Sequence, residues 1–225
     1  MDPPSDPQET NVRSKLAALA VIAAVAGCGP SPAEIPAATV STVAVQPGDV
    51  PSTLQRCRAS GGIDSWLSTL QVQNDSMYFN YNKQWDLAKQ DGATSAEVAL
   101  YTDSSSHCDY STNNGSGTIA LGTYPLVLNI VIQFKDEASA TNGYTSGSLF
   151  GFEQAIFKAV AGAALSQGKS TGLGANSMAY STDVGNKPYY VVVWQQRAFV
   201  VIVVADNLDP ATGKKIAQQV NGRIH

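Results

Sequence analysis

Apolar residues recur at helical spacing between residues 61 and 101. The first run occupies the i, i+3, i+4 and i+7 positions of one buried helix face: Ile63, Trp66, Leu67 and Leu70. The second run follows Asn74 and Asp75, either of which suits an N-cap, and repeats every four residues: Met77, Tyr81 and Trp85. The stretch from Thr94 to Glu97 has the spacing of a capping box and predicts a short third helix through Tyr101.

The pattern changes to that of β-strands after residue 107. The apolar run from Leu126 to Phe134 is rich in β-branched residues and has the length of a buried strand. Alternation from Tyr189 onwards, with a turn at Gln195-Gln196-Arg197, predicts a hairpin near the end of the chain. The predicted strands are Cys108 to Thr112 and Thr118 to Leu121 around the Asn114-Gly115 turn, Leu126 to Phe134, Met178 to Asp183, Tyr189 to Gln195, and Ala198 to Ala205.

Three further helices and one flexible connection are predicted between and after these strands. The helices are Asp136 to Tyr144, Phe150 to Leu165, and a final one from Asp209 or Pro210 to Arg223, and the flexible connection is Gly168 to Gly174. Helices first, then strand, helix, three strands and helix, predict an α+β domain with a mostly antiparallel central sheet. The short connection in the hairpin supports this, because it cannot hold a parallel crossover.

This element order also argues against nucleotide binding. The stretch from Ala163 to Ser170 matches the loosest form of a phosphate-binding loop. A phosphate-binding loop needs a strand leading in and a helix leading out, whereas a helix is predicted before this stretch and a coil after it. We therefore expect no nucleotide as a partner.

Lys169 to Arg223, with Gly172-Leu173-Gly174, the hairpin and the closing helix, is similar to the ends of several small lipoproteins. These are actinobacterial and related lipoproteins of the sensor-domain or PsbP-like kind. The resemblance covers about a quarter of the 225 residues and implies only the α+β fold.

Composition narrows the function classes. The chain is 44% hydrophobic but only 14% charged, with a net charge of −4. Nucleic-acid binding needs a dense basic face, which this composition does not supply. The protein is therefore expected to be one globular domain with a weakly charged surface and no nucleic-acid partner.

The amino terminus has the features of an export signal. Arg13 and Lys15 precede an apolar run, Leu16 to Ala26, which is about half the roughly 20 residues that a membrane-spanning helix needs. Val25-Ala26-Gly27-Cys28 resembles the bacterial lipoprotein lipobox. This resemblance implies that Cys28 receives a diacylglyceryl group and that the chain is cut just before it. The protein would then be extracytoplasmic and held at the cell membrane by lipid.

These features divide the chain into three parts: residues 1–27 as the signal peptide, 28–52 as the lipidated cysteine and a tether, and 53–225 as the domain. Asp2, Asp6 and Glu9 are acidic where a signal should be basic, so residues 1–11 are a candidate mis-assigned start, with translation beginning near Val12. The tether is rich in Pro, Ala, Ser and Thr, although Thr39 to Val45 is β-branched enough to form an edge strand instead.

Three cysteines allow one disulfide if Cys28 is lipidated. Cys57 and Cys108 then remain, and outside the cytoplasm such a pair is expected to be oxidised. His107 beside Cys108 suggests a metal site instead, but the only other histidine is His225. A structural zinc needs four ligands, so we expect no metal and no cofactor.

Catalytic signatures are absent from the sequence. His107 with Asp109 is the one conceivable acid–base pair, and no Gly-x-Ser-x-Gly motif surrounds any serine. Tyr81, Trp85 and Trp194 are candidates for binding a ligand, although core packing is the alternative for such aromatic residues. The leading hypothesis is a lipid-anchored, non-catalytic module that binds a small ligand or a protein. The alternatives are an accessory subunit of a membrane-associated complex and an extracytoplasmic hydrolase that uses His107.

Overall fold

A computed structural model describes residues 37–146, 149, 150, 152 and 165–225. Within it, Ala37–His225 is one compact unit. The predicted signal peptide and Cys28 lie outside the described residues. Most of the helix predicted from Phe150 to Leu165 does so as well.

Six α-helices and eight strands make up the described part of the domain. The helices are α1 (Val40–Val43), α2 (Ile63–Gln73), α3 (Asp75–Gln90), α4 (Ser105–Thr112), α5 (Glu137–Ser146) and α6 (Pro210–Asn221). The strands are β1 (Gln55–Arg56), β2 (Gly61–Gly62), β3 (Ala93–Thr102), β4 (Leu126–Phe134), β5 (Leu165–Gln167), β6 (Ser177–Val184), β7 (Lys187–Gln196) and β8 (Phe199–Asp206).

The strands form one sheet in the order β1-β3-β4-β8-β7-β6-β5, and β2 also pairs with β3. Every pairing is antiparallel. The predicted α+β class, the antiparallel sheet and the closing helix after a hairpin are therefore confirmed. The long central strands are nearly all buried because both faces of the sheet are covered.

Each face of the sheet carries its own hydrophobic core. Alternate side chains of a strand point to opposite faces, so Ile130 and Ile202 lie in one core and Val131 and Val203 in the other. Helices α2 to α5 contribute to the first core, whereas α6 and the segment of residues 37–54 contribute to the second. We call residues 37–54 the strap.

The strap corrects the predicted tether. The backbone N–H of Val45 donates to Oδ1 of Asn129 over 2.9 Å, and the hydroxyl of Tyr101 donates to the carbonyl of Val45 over 3.0 Å. Val43, Ala44 and Val45 are fully or almost fully buried. A tether that extends to Ser52 and an edge strand from Thr39 to Val45 are therefore both wrong: the domain begins by residue 37, and the middle of that stretch is α1.

The capping-box spacing at Thr94 to Glu97 predicts a helix, and this prediction is wrong because these residues belong to β3. Glu97 pairs opposite Val131 of β4, and its carboxylate accepts from Arg56 over 2.8 Å. From Ala96 the side chains of β3 are buried, as a central strand requires. Burial between two neighbouring strands outweighs a local capping preference of about 1 kcal/mol.

The opposite error occurs after β3. The strand predicted from Cys108 to Thr112 is wrong, because these residues belong to α4. This helix begins after the N-cap Ser104, whose hydroxyl accepts from the backbone N–H of His107. Thr118 to Leu121 is not a strand but part of a loop ordered by Asn114, whose side chain accepts from the backbone N–H of Ser116 over 2.7 Å. Asn114-Gly115 therefore does not join two strands, as the hairpin prediction requires, but lies in the loop that follows α4.

The segment from Gly168 to Gly174 is more ordered than predicted. Gly168–Thr171 forms one turn of 3-10 helix, and the side chains of Thr171 and Ser177 are hydrogen-bonded to each other over 2.7 Å. Strand β5 leads directly into it, and Leu165, the last residue of the predicted helix, is the first residue of this strand.

Candidate functional site

The predicted disulfide is present between Cys57 and Cys108. Cys57 follows β1 at the edge of the sheet, where its backbone N–H donates to the carbonyl of Leu100 over 2.8 Å. Cys108 lies in α4, and its sulfur is 3.1 Å from the hydroxyl oxygen of Thr102. The bond therefore fastens α4 to the edge of the sheet.

A cleft of about 580 Å³ opens beside this disulfide. Its walls come from the segment around β1, from α2 and from α4. The lining residues are Gln55, Arg56, Cys57, Arg58, Ala59, Thr69, Gln73, Ser105, Cys108, Asp109 and Thr112. Most of them are polar, and the size is within the roughly 300 to 1,000 Å³ of small-molecule sites.

Two of the three charged residues in the cleft have no ionic partner among the described residues. Arg56 is committed to Glu97, with 2.8 Å between guanidinium nitrogen and carboxylate oxygen. Arg58 and Asp109 form no ion pair within 4.0 Å, either with each other or with any other residue that the structure describes. No motif in the sequence singles out Arg58, and the available signal is that Arg58 and Asp109 each directly follow a disulfide cysteine.

The three candidate aromatic residues do not meet in one site. Tyr81 and Trp85 lie on α3 in the first core, whereas Trp194 lies on β7 in the second core, on the opposite face of the sheet. Their exposures are 7%, 5% and 0%. Trp85 also borders a smaller cavity of about 270 Å³ beside Val40 and Ile63. The three side chains thus serve mainly as core residues.

His107 is paired with a different carboxylate from the predicted one. Its Nδ1 contacts the carboxylate of Asp103, four residues earlier, instead of that of Asp109. The imidazole stacks on the ring of Tyr124 with centroids 4.3 Å apart. Within the described residues no serine or cysteine side chain is hydrogen-bonded to the imidazole; Ser111 instead bonds to the hydroxyl of Tyr124. This geometry supplies a base and its orienting group without a nucleophile.

A buried carboxylate lies at the end of β8. Asp206 is 1% exposed, one of its oxygens accepts from the backbone N–H of Gly122, and the other has no hydrogen-bond partner among the described residues. Burial raises the pKa of Asp206, and the backbone N–H groups of Gly122 and Asn207 act in the opposite direction. The folded protein therefore holds this proton more tightly than the unfolded chain.

Asp206→Asn should change how stability depends on pH. The wild-type folded state loses stability as pH rises from about 4, the usual carboxyl pKa, through the raised pKa of Asp206. An amide carries no charge, so the unfolding free energy of the variant should improve relative to wild type over that window. The gain is about 1.4 kcal/mol for each unit by which the pKa is raised.

Urea unfolding at several pH values between 4 and 7 measures this difference. Asp183→Asn, an exposed position on β6, is the matched control and should follow the wild type throughout. Parallel curves for wild type and Asp206→Asn would contradict the assignment.

Metal-binding clusters and membrane-spanning helices are both absent from the described positions within residues 37–225. No group of three or more His, Cys, Asp or Glu side chains there could hold a metal ion. None of the helices described is long and apolar enough to cross a membrane. Comparison with protein-family models, with curated proteins and with solved structures gives no match.

Proposed function

We propose that this chain is an extracytoplasmic lipoprotein, anchored through lipid on Cys28, whose domain is a non-catalytic module that binds a small polar ligand. The observation that carries the binding role is the polar cleft of about 580 Å³, in which Arg58 and Asp109 have no ionic partner among the described residues. Charged groups left unpaired in a cleft are free to bind a ligand, whereas His107 is not among the residues that line it.

Export is supported by the disulfide. Bonds such as Cys57–Cys108 form and persist in oxidising compartments and are rare in the cytosol. Val25-Ala26-Gly27-Cys28 supplies the matching signal for export and lipidation. Two independent features, one in the domain and one in the leader, thus support the same compartment.

The strap shortens the tether in this proposal. Only residues 29–36 separate Cys28 from the compact unit that begins at Ala37. By the length scaling that gives about 25 to 30 Å for a tether to Ser52, a tether of eight residues would reach about 14 to 17 Å. The domain would therefore be held close to the membrane surface.

Lipid labelling tests the anchor. The full chain expressed in a bacterium with labelled palmitate should carry the label and sediment with membranes. Cys28→Ser should lose both properties, because the thiol that accepts the diacylglyceryl group is gone, and Ser31→Ala in the same tether should keep them. Wild-type protein without label, or label that persists in Cys28→Ser, would overturn the anchor.

A second candidate function is an accessory subunit of a membrane-associated complex. Val72 on α2 and Phe79 on α3 are 88% and 69% exposed, which is unusual for large apolar side chains. In this role the two side chains would contact an integral membrane protein. Co-purification of such a partner after mild detergent extraction, lost in Phe79→Ser and retained in Asn80→Ser, would favour this role over ligand binding.

A further inference from the structure

Two side chains of opposite charge, Arg58 and Asp109, line the cleft beside the disulfide. Arg58 directly follows Cys57 and Asp109 directly follows Cys108, so the disulfide fixes the two backbones near each other. Both side chains are exposed and both residues line the cleft. Neither has an ionic partner within 4.0 Å among the described residues. As far as the described residues show, the cleft thus offers one guanidinium and one carboxylate that are not engaged in an ion pair.

The remaining charge in the cleft does not alter this balance. Arg56 is neutralised by Glu97 through a contact of 2.8 Å. A ligand with only a negative charge would be attracted by Arg58 but repelled by Asp109. A ligand with only a positive charge would be attracted by Asp109 but repelled by Arg58. Only a ligand that carries both signs complements both residues.

Neutral hydrogen-bonding groups in the cleft suit the middle of such a ligand. Oε1 of Gln73 accepts from the hydroxyl of Thr112 over 3.1 Å, which leaves the amide NH₂ of Gln73 free to donate. The side chains of Gln55 and Ser105 have no hydrogen-bond partner in the part of the chain that the structure describes. Peptide carbonyl and N–H groups are natural partners for these amides and this hydroxyl.

We propose that the cleft binds a small zwitterion, a free amino acid or a short peptide, with its carboxylate on Arg58 and its ammonium group on Asp109. Guanidinium and carboxylate form bidentate charge-assisted hydrogen bonds, and an aspartate accepts from an ammonium group in the same way. The inference rests on the proposed binding function and names the ligand class for the same site.

Calorimetry on the full chain, isolated in detergent, tests the ligand class. The probes are L-alanine, L-alanyl-L-alanine and tri-L-alanine, which differ in the separation between their two charges. At least one should bind at concentrations up to about 10 mM. Its N-acetylated and C-amidated forms should each bind at least about tenfold more weakly, because each leaves one charge of the cleft without a partner.

Variants connect each charge to its residue. Arg58→Gln should weaken the free ligand about tenfold or more and no longer distinguish it from the C-amidated form. Asp109→Asn should also weaken binding of the free ligand about tenfold or more, and it should no longer distinguish the free ligand from the N-acetylated form. Arg197→Gln and Asp183→Asn, both exposed and outside the cleft, are the matched controls and should bind like wild type. Thermal unfolding of each variant checks that the fold is retained.

Three outcomes overturn the proposal: no binding by any of the three probes, equal binding of the blocked forms, or unchanged binding in Arg58→Gln and Asp109→Asn. Absence of the palmitate label from wild-type protein would instead overturn the anchor, and it would not affect the conclusion about ligand binding. If free and blocked probes bind equally well and substitutions in the cleft abolish that binding, the cleft is still a binding site, but its ligand is not a zwitterion.

Discussion

Replacing Cys57 and Cys108 together by serine is expected to lower the unfolding free energy by about 4 kcal/mol. The bond closes a loop with a sequence separation of 51 residues, and its loss returns that loop's conformational freedom to the unfolded chain. The folded state also loses the fastening of α4 to the sheet edge. Because both cysteines line the cleft, ligand binding should fall together with stability.

Guanidinium unfolding followed by tryptophan fluorescence measures this loss, since Trp66 and Trp194 are fully buried. Wild-type protein treated with a reductant should unfold at the same lowered denaturant concentration as the double variant. Cys28→Ser removes the remaining cysteine and should leave the midpoint unchanged. A reduced wild type that unfolds like the oxidised protein would refute a stabilising role for the bond.

Arg223→Ala should cost about 3 kcal/mol through the strap. The guanidinium pairs with the carboxylate of Asp49, whose side chain is 5% exposed, and donates to the carbonyls of Val43 and Ala44 over 3.3 and 3.2 Å. Alanine leaves that carboxylate buried without its cation, which costs more than the pair itself contributes. The strap should then separate from the second core more readily and be cleaved faster by protease.

A double-mutant cycle isolates the pair. Asp49→Asn combined with Arg223→Ala should be less destabilising than the two single effects added together, because the uncompensated charge is absent. Lys215→Ala, on the exposed face of α6, is the control and should change the unfolding free energy by less than about 0.5 kcal/mol. Strictly additive single effects would show that the two side chains act independently.

Prediction from sequence succeeded where local features alone decide whether a segment forms a helix or a strand. The apolar periodicity of α2 and α3 and the N-cap at Asn74, whose side chain accepts from the backbone N–H of Met77, are local features. The run from Leu126 to Phe134 is the buried strand that its length and β-branched composition predict, and its side chains alternate between the two cores. Prediction failed at Thr94 to Glu97, where local capping and long-range pairing favour different structures.

Of the candidate site, the sequence predicted only the disulfide. Cys57 and Cys108 followed from counting cysteines, but the cleft depends on how the β1 segment, α2 and α4 meet. The aromatic residues chosen from the sequence proved to lie in two cores, since hydrophobicity alone does not show which side of a sheet a side chain occupies.

The sequence by itself determined the α+β class and the antiparallel hairpin, because periodicity and a short connection each leave few alternatives. Cys57 and Cys108 are the one pair that remains of the three cysteines when Cys28 is set aside as the candidate for lipidation. Only the tertiary structure decided that the strap is part of the domain and that Arg58 and Asp109 share a cleft. Val45 is held by Asn129 and Tyr101, which lie 84 and 56 residues further along the chain. Contacts at such separations leave no local pattern, so they are decided by packing rather than by propensity.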